Sequence, residues 1–226
     1  MAKAYLRGML VLLCLLSAGC TEVRTDGPVR VEDYSETIRL ACIGDSITYG
    51  SGINDREVNS YPAQLQRVLG DRWEVRNFGV SGATMLRKSD LPYWQRDTFR
   101  KAMTFRPHIV LIKLGTNDSK SHWDAEAFRR DYADMIDTLA ALDTTPRIYL
   151  CLPVPAYETK WEIRDEVIKG EVIPIIQDIA EKHRLVVIDL YTALSGAEDL
   201  FPDKIHPNAE GAGLMARTVA HTLTGQ

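Results

Sequence analysis

Ile38-Arg39-Leu40-Ala41-Cys42-Ile43-Gly44-Asp45-Ser46-Ile47-Thr48 is the stretch on which the fold turns. Ile38–Ile43 is dense in aliphatic side chains and does not alternate cleanly, which is the pattern of a parallel strand covered on both faces. The run stops at Gly44, and a serine stands two residues later. A serine set straight after a strand, at the start of a helix, exposes its hydroxyl beside backbone N–H groups that lack a helical partner.

Working outward, four more apolar runs follow at Trp73–Phe78, His108–Leu114, Arg147–Leu152 and Leu185–Leu190. Helical patterns lie between them. Ser60 is placed to cap Tyr61–Leu69, a second helix is expected over Trp94–Phe105, and Asp124 can cap Ala125–Leu142, where Phe128, Tyr132, Met135, Ile136 and Leu139 recur at helical spacing. Trp161–His183 is a long pattern that Pro174 should kink or split. Asn208–Leu223 closes the chain, with Leu214, Thr218 and Val219 read as its packing face. This alternation implies a doubly wound α/β fold: a mostly parallel five-stranded sheet with right-handed crossovers and helices on both faces. In such sheets sites form in loops leaving the carboxyl ends of strands, at a switch in strand order.

The 226 residues suffice for one such domain, assigned to residues 37–226, and are too few for two ordinary ones. A formal net charge of −4 gives no basic patch, so no nucleic-acid partner is expected. No group of His, Cys, Asp and Glu has metal-ligand spacing, and Gly50-Ser51-Gly52 lacks the lysine of a phosphate loop. Neither a metal nor a cofactor is therefore expected.

Residues 1–20 stand apart. Lys3 and Arg7 precede the apolar run Gly8–Ala18, whose eleven residues would rise only ~16 Å as a helix, short of a ~30 Å hydrocarbon core. The segment reads as a secretory signal rather than a spanning helix, so no transmembrane helix is expected in the mature chain. Leu16-Ser17-Ala18-Gly19-Cys20 resembles a bacterial lipoprotein signal, with the leucine one place further from the cysteine than usual. Export to a periplasmic or cell-surface location follows as an expectation, with a lipid anchor at Cys20 as one form of it. Residues 21–36 are polar and read as a linker. Cys42 and Cys151 lie in the first and fourth runs, and a strand between theirs would hold them ~10 Å apart, beyond disulfide reach.

The chemistry-bearing residues cluster just after the runs. They are Gly44-Asp45-Ser46, then Asn77-Phe78-Gly79-Val80-Ser81-Gly82, then Gly115-Thr116-Asn117-Asp118, and, past the fifth run, Asp203-Lys204-Ile205-His206-Pro207. A serine hydroxyl needs an adjacent base to become a nucleophile. Asp203 and His206 are three residues apart, so on a helical turn one ring nitrogen can meet the carboxylate and leave the other for Ser46. The oxyanion of an acyl transfer needs preorganised donors. Ser46 N–H, Gly79 N–H and the Asn117 amide are the expected set: Gly79 because it lacks a Cβ, Asn117 because its short stem carries two N–H groups.

In order and spacing these four segments resemble the four sequence blocks of SGNH (GDSL-like) hydrolases, over about Ile38 to Val219. The resemblance implies a flavodoxin-like three-layer fold. It also implies Ser46 as nucleophile, Asp203 and His206 as its triad partners, and Gly79 and Asn117 in the oxyanion hole. Lys204 departs from it, standing where glycine is common. The implied activity is a serine esterase acting through an acyl-enzyme. Lys113–Lys120 is similar to the third block of the carbohydrate-acetylesterase branch, and the short chain has no apolar insertion to bind a fatty acid. A short acyl group, chiefly acetyl, on a small-molecule or glycan ester is the expected substrate. Two competing readings are a lysophospholipase or thioesterase on longer chains, and a cell-surface carbohydrate-binding module on an inactivated scaffold. Asp45 and Asp118 are expected to shape loops. His108, His122, His183 and His221 are read as surface or structural, and Trp94, Trp123 and Trp161 as packing residues that could also stack on a sugar ring.

Overall fold

The computed structural model describes residues 27–226; the expected signal segment 1–20, with Cys20, and residues 21–26 of the expected linker lie outside them. Five strands form one sheet: β1 (Ile38–Gly44), β2 (Trp73–Gly79), β3 (Ile109–Lys113), β4 (Arg147–Cys151) and β5 (Val186–Ile188). Their order is β2-β1-β3-β4-β5, and every pairing is parallel. The order reverses at β1, which lies between β2 and β3, so the carboxyl ends of β1 and β3 flank the switch point.

The helices are α1 (Ser46–Tyr49), α2 (Arg56–Asn59), α3 (Tyr61–Leu69), α4 (Asp97–Thr104), α5 (Ala125–Ala140), α6 (Asp165–Val167), α7 (Ile173–His183), α8 (Leu190–Leu194) and α9 (Ala209–Thr224). Alternate β1 side chains serve two cores. Ala41 and Ile43 pack with Phe99, Phe128, Tyr132 and Ile176 of α4, α5 and α7, whereas Ile38, Leu40 and Cys42 pack with Tyr61, Leu65, Leu190, Met215 and Val219 of α3, α8 and α9. The sheet is therefore the middle of three layers. Asp124 caps α5 as expected, accepting from Ala127 N–H at 2.9 Å, and Asn208 caps α9 by accepting from Gly211 N–H at 3.0 Å. The buried face of α9 is Ala212, Met215, Ala216, Val219 and Leu223; Leu214 and Thr218 of the expected face sit at its margin.

Three boundaries differ from the sequence reading. The helix expected over Trp94–Phe105 begins at Asp97, after a separate 3₁₀ turn at Tyr93–Gln95. The helix expected from Trp161 begins only at Asp165, because Trp161 and Glu162 take φ of 51° and 64°, the left-handed region that no helix can include. Pro174 lies inside the continuous helical run Asp165–His183, and the turn before it, Ile168–Val172, widens to a π-helix that accommodates its missing N–H. The described part of the 21–36 linker is also seated rather than free. Val29 is buried and its N–H donates to Leu223 O at 2.6 Å, while Arg72 donates to Tyr34 O at 2.9 Å. Its apolar residues at alternate positions, Val29 and Val31, cover the outer side of α9 and β2 in spite of the polar average.

Cys42 and Cys151 are free buried thiols on β1 and β4, with β3 between them. Burial pushes both thiols up, Cys151 to about 12, so both stay protonated and inert.

Candidate active site

Ser46 is the first residue of α1, immediately after β1. Asp45 fixes that turn: its carboxylate accepts from Ile47 N–H at 2.9 Å and faces the Lys113 ammonium at 3.0 Å. Both side chains are fully buried, and Lys113 also donates to Thr116 Oγ1 at 2.9 Å. Burial pulls the Lys113 ammonium below its ordinary range, and the adjacent Asp45 carboxylate works the other way. The carboxyl ends of β1 and β3 are thus tied together below the serine.

The closing turn delivers an imidazole. His206 Nε2 lies 2.8 Å from Ser46 Oγ, and His206 Nδ1 lies 2.8 Å from Asp203 Oδ2. The other oxygen of Asp203 accepts from His206 N–H at 2.7 Å and Ile205 N–H at 2.9 Å. Burial alone would raise this carboxyl. The His206 N–H, the His206 ring and the Ile205 N–H outweigh it and hold Asp203 below the ordinary carboxylate value, charged and able to orient the imidazole. Lys204 adopts φ 72°, which explains why glycine is common at this place in the block; its ammonium pairs with Glu198 at 2.8 Å, on the side away from the relay.

These groups open into a cavity of about 370 Å³ lined by Ser46, Ser51, Ser81, Gly82, Asn117, Lys120, Trp161, Ile163 and His206. A larger cleft of about 480 Å³ beside Arg56, Gln66 and Asn77 holds no serine–histidine pair. Asn117 is buried and spends one Nδ2 hydrogen on Ala83 O at 3.1 Å, which leaves its second. Ser46 N–H is free of helical partners at the first position of α1.

The structure does not bring Gly79 to the cavity. Its N–H donates to Asn77 Oδ1 at 2.9 Å, and a Cβ there would stand 2.1 Å from Tyr49 N. Gly79 is the glycine of close approach between β2 and α1. The chain reaches the cavity only at Ser81, and the glycine that lines the wall is Gly82, at φ 78°. Asp118, next to Asn117, accepts from Met85 N–H at 3.0 Å and Leu86 N–H at 2.8 Å, so the two neighbours clamp the segment that follows Gly82. Asn77 was not singled out in the sequence. Its amide donates to Thr48 O at 2.8 Å and ties β2 to the back of α1. Lys113 was also passed over, although a lysine inside an apolar strand run signals a buried partner.

Of the three tryptophans weighed as sugar platforms, Trp94 lies between Met85 O and the Arg87 guanidinium, and Trp123 is held by Glu171 against Phe128. Trp161 alone lines the cavity, its ring centroid 5.5 Å from that of His206. His108 is structural, its Nδ1 accepting from Arg39 N–H at 3.1 Å.

Residues 42–214 match the model of the GDSL-like lipase/acylhydrolase family. An acetylxylan esterase of Xylanibacter ruminicola is 44% identical over 208 aligned positions, covering 83% of this chain and 43% of that protein. The chain thus spans less than half the length of this relative. In three dimensions the chain resembles a carbohydrate acetylesterase family member from Sinorhizobium meliloti, with a TM-score of 0.65 at 21% identity over 84% of this chain and 100% of the other. It also resembles the native aryl esterase of M. smegmatis, with a TM-score of 0.67 at 18% identity over 81% of this chain and 97% of the other. At those identities the likeness speaks for the five-stranded parallel fold. The match across residues 42–214 covers the serine, both connecting segments and the histidine turn, and the chain belongs to the GDSL-like lipase/acylhydrolase family.

Proposed function

We propose that this chain is a serine esterase that removes short acyl groups, chiefly acetyl, from carbohydrate. The observation that carries the reading is the unbroken relay from Ser46 Oγ through the imidazole to Asp203, with 2.8 Å at each step. Ser46 Oγ attacks the ester carbonyl carbon while His206 Nε2 takes the hydroxyl proton, and Asp203 stabilises the resulting imidazolium. The carbonyl oxygen, now an anion, receives N–H groups from Ser46, Gly82 and Asn117; one such donor is worth ~3 kcal/mol of barrier. Collapse breaks the ester C–O bond, and the leaving alcohol takes the proton from Nε2. Water then attacks the acyl-enzyme, its proton passing to the same nitrogen, and the acid leaves as Ser46 recovers its proton.

The acetyl and carbohydrate parts are supported by the name of the Xylanibacter relative and by the modest cavity of about 370 Å³. Export belongs to the same proposal, resting on Lys3, Arg7, the Gly8–Ala18 run and Cys20, and it places the enzyme where polymeric glycans are met. Among the described residues no helix is long and apolar enough to cross a membrane.

Acetate release from acetylated xylan, together with a p-nitrophenyl ester series from acetate to octanoate, tests the substrate. Acetate release and a preference for the two-carbon ester are expected. Octanoate cleaved faster than acetate would favour the lysophospholipase or thioesterase reading instead. Mass spectrometry of the native N-terminus tests export: an acylated Cys20 start is expected, and a chain still beginning at Met1 would contradict it.

A further inference from the structure

We propose that Trp161 is the floor of a sugar-ring subsite on the leaving-group side of the cavity; the inference rests on the carbohydrate-ester reading above. Trp161 is 53% exposed, and of the three large hydrophobic side chains more than half exposed among the described residues, with Val58 and Val68, it alone lines the cavity that holds Ser46 and His206. An indole left in water beside a catalytic pair wants a ligand with an apolar face.

Its position is imposed rather than incidental. Trp161 and Glu162 are consecutive non-glycine residues in the left-handed region, a conformation that persists only where the surroundings hold it. The surroundings do hold it on both sides. Glu162 accepts from Ser121 Oγ at 2.6 Å, and Arg164 donates to Ser119 O at 2.8 Å and Lys120 O at 2.9 Å, which fastens the loop to the turn that carries Asn117. Lys160 Nζ donates to Asp203 O at 3.3 Å and Tyr157 N–H to Lys204 O at 2.8 Å, which fastens it to the histidine turn. The indole therefore keeps a fixed relation to the reacting centre.

Which part of the substrate it meets follows from the proton path. The alcohol that leaves must take its proton from His206 Nε2, so the sugar lies on the imidazole side, while the carbonyl oxygen points to the donors Gly82 and Asn117. Trp161 is the aromatic neighbour of His206, at 5.5 Å between ring centroids and tilted by 48°. The C–H face of a pyranose stacked on the indole would set its acylated oxygen beside that nitrogen. Trp161 then selects the alcohol and has no part in selecting acyl length.

The test compares kcat/KM on acetylated methyl β-xyloside with kcat/KM on ethyl acetate, which has no ring to stack. Trp161→Ala should lower the ratio of the two about tenfold, through KM. Trp161→Leu, which keeps apolar bulk without a flat face, should behave like the alanine variant, and Trp161→Phe should keep the ratio within threefold of wild type. The propionate-to-acetate ratio on p-nitrophenyl esters should be the same in all four proteins. Equal losses on both esters would show that the ring only supports the imidazole, and an unchanged ratio would show that no sugar rests on it; either overturns the subsite. A wild-type enzyme that does not prefer the xyloside acetate to ethyl acetate would instead overturn the carbohydrate reading itself, and the subsite with it.

Discussion

The turns at 44–48 and 203–207 are built alike and do opposite things. In each an aspartate closes the turn by accepting backbone N–H groups: Asp45 from Ile47, Asp203 from Ile205 and His206. What differs is the group facing the rest of the carboxylate. Asp45 meets the Lys113 ammonium, and both are sealed from solvent. Asp203 meets an imidazole and keeps about a third of its side chain exposed. The first pair has nowhere to send a proton and holds Ser46 still. In the proposed esterase cycle the second orients a ring whose charge changes, and a partly solvated carboxylate tolerates that change. The same local turn becomes scaffold or machinery according to its partner.

The comparison can be broken first at the residues it serves. Ser46→Ala should cut ester turnover by at least ~10³-fold while leaving Tm nearly unchanged, since only a small hydroxyl at the cavity wall is lost. Steady-state kinetics beside a thermal melt checks both halves, and residual turnover above about 1% would point to another nucleophile.

The two aspartate partnerships should then fail in different ways. Asp203→Asn should lower kcat by ~10²- to 10⁴-fold, by removing the charge that holds the imidazole, with little change in Tm. Lys113→Met should do the reverse in kind. It leaves the Asp45 carboxylate buried without its cation, at a cost of ~3–5 kcal/mol of folding free energy, seen as a Tm lower by roughly 10 °C. Chemical denaturation measures the second effect directly. A Lys113→Met protein as stable as wild type would show that the buried pair does not hold the turn.

The last test concerns a third carboxyl, Asp118. Burial pushes it up to about 7, against the pull of the Leu86 and Met85 N–H groups. The folded protein therefore binds this proton more tightly than the unfolded chain, whose carboxyl titrates near ~3.9. The resulting stability is complete below about pH 4 and is lost as pH rises to about 7. Asp118→Asn cannot titrate, so its Tm should gain on wild type between pH 4 and pH 7 and then run parallel. A constant offset across that range would contradict the burial assigned to this group.

Much of this was legible in the chain because it rests on local patterns. The apolar runs placed all five strands within a residue or two, and Asp203 and His206 do meet at 2.8 Å, although on a turn that Lys204, at φ 72°, keeps from being the helical one expected. The failures come from distance. Gly79 ends β2 and Gly82 follows it, and nothing in the run of glycines says that the chain reaches the cavity only at Ser81 and Gly82. The Lys113–Asp45 pair spans 68 residues and shows in the sequence only as a lysine out of place. The unusual backbone at Trp161 and Glu162 is sustained by Ser121, Ser119 and Asp203 from other loops, so helical periodicity ran through it unopposed.

The central claim is that one hydroxyl is made nucleophilic by one imidazole. Labelling the folded protein with a fluorophosphonate, and locating the adduct by peptide mass spectrometry, tests it most directly. The account predicts stoichiometric modification of Ser46 in the wild type and its near-complete loss in His206→Ala. An unlabelled Ser46 in folded wild-type protein, or labelling that persists unchanged without His206, would contradict it.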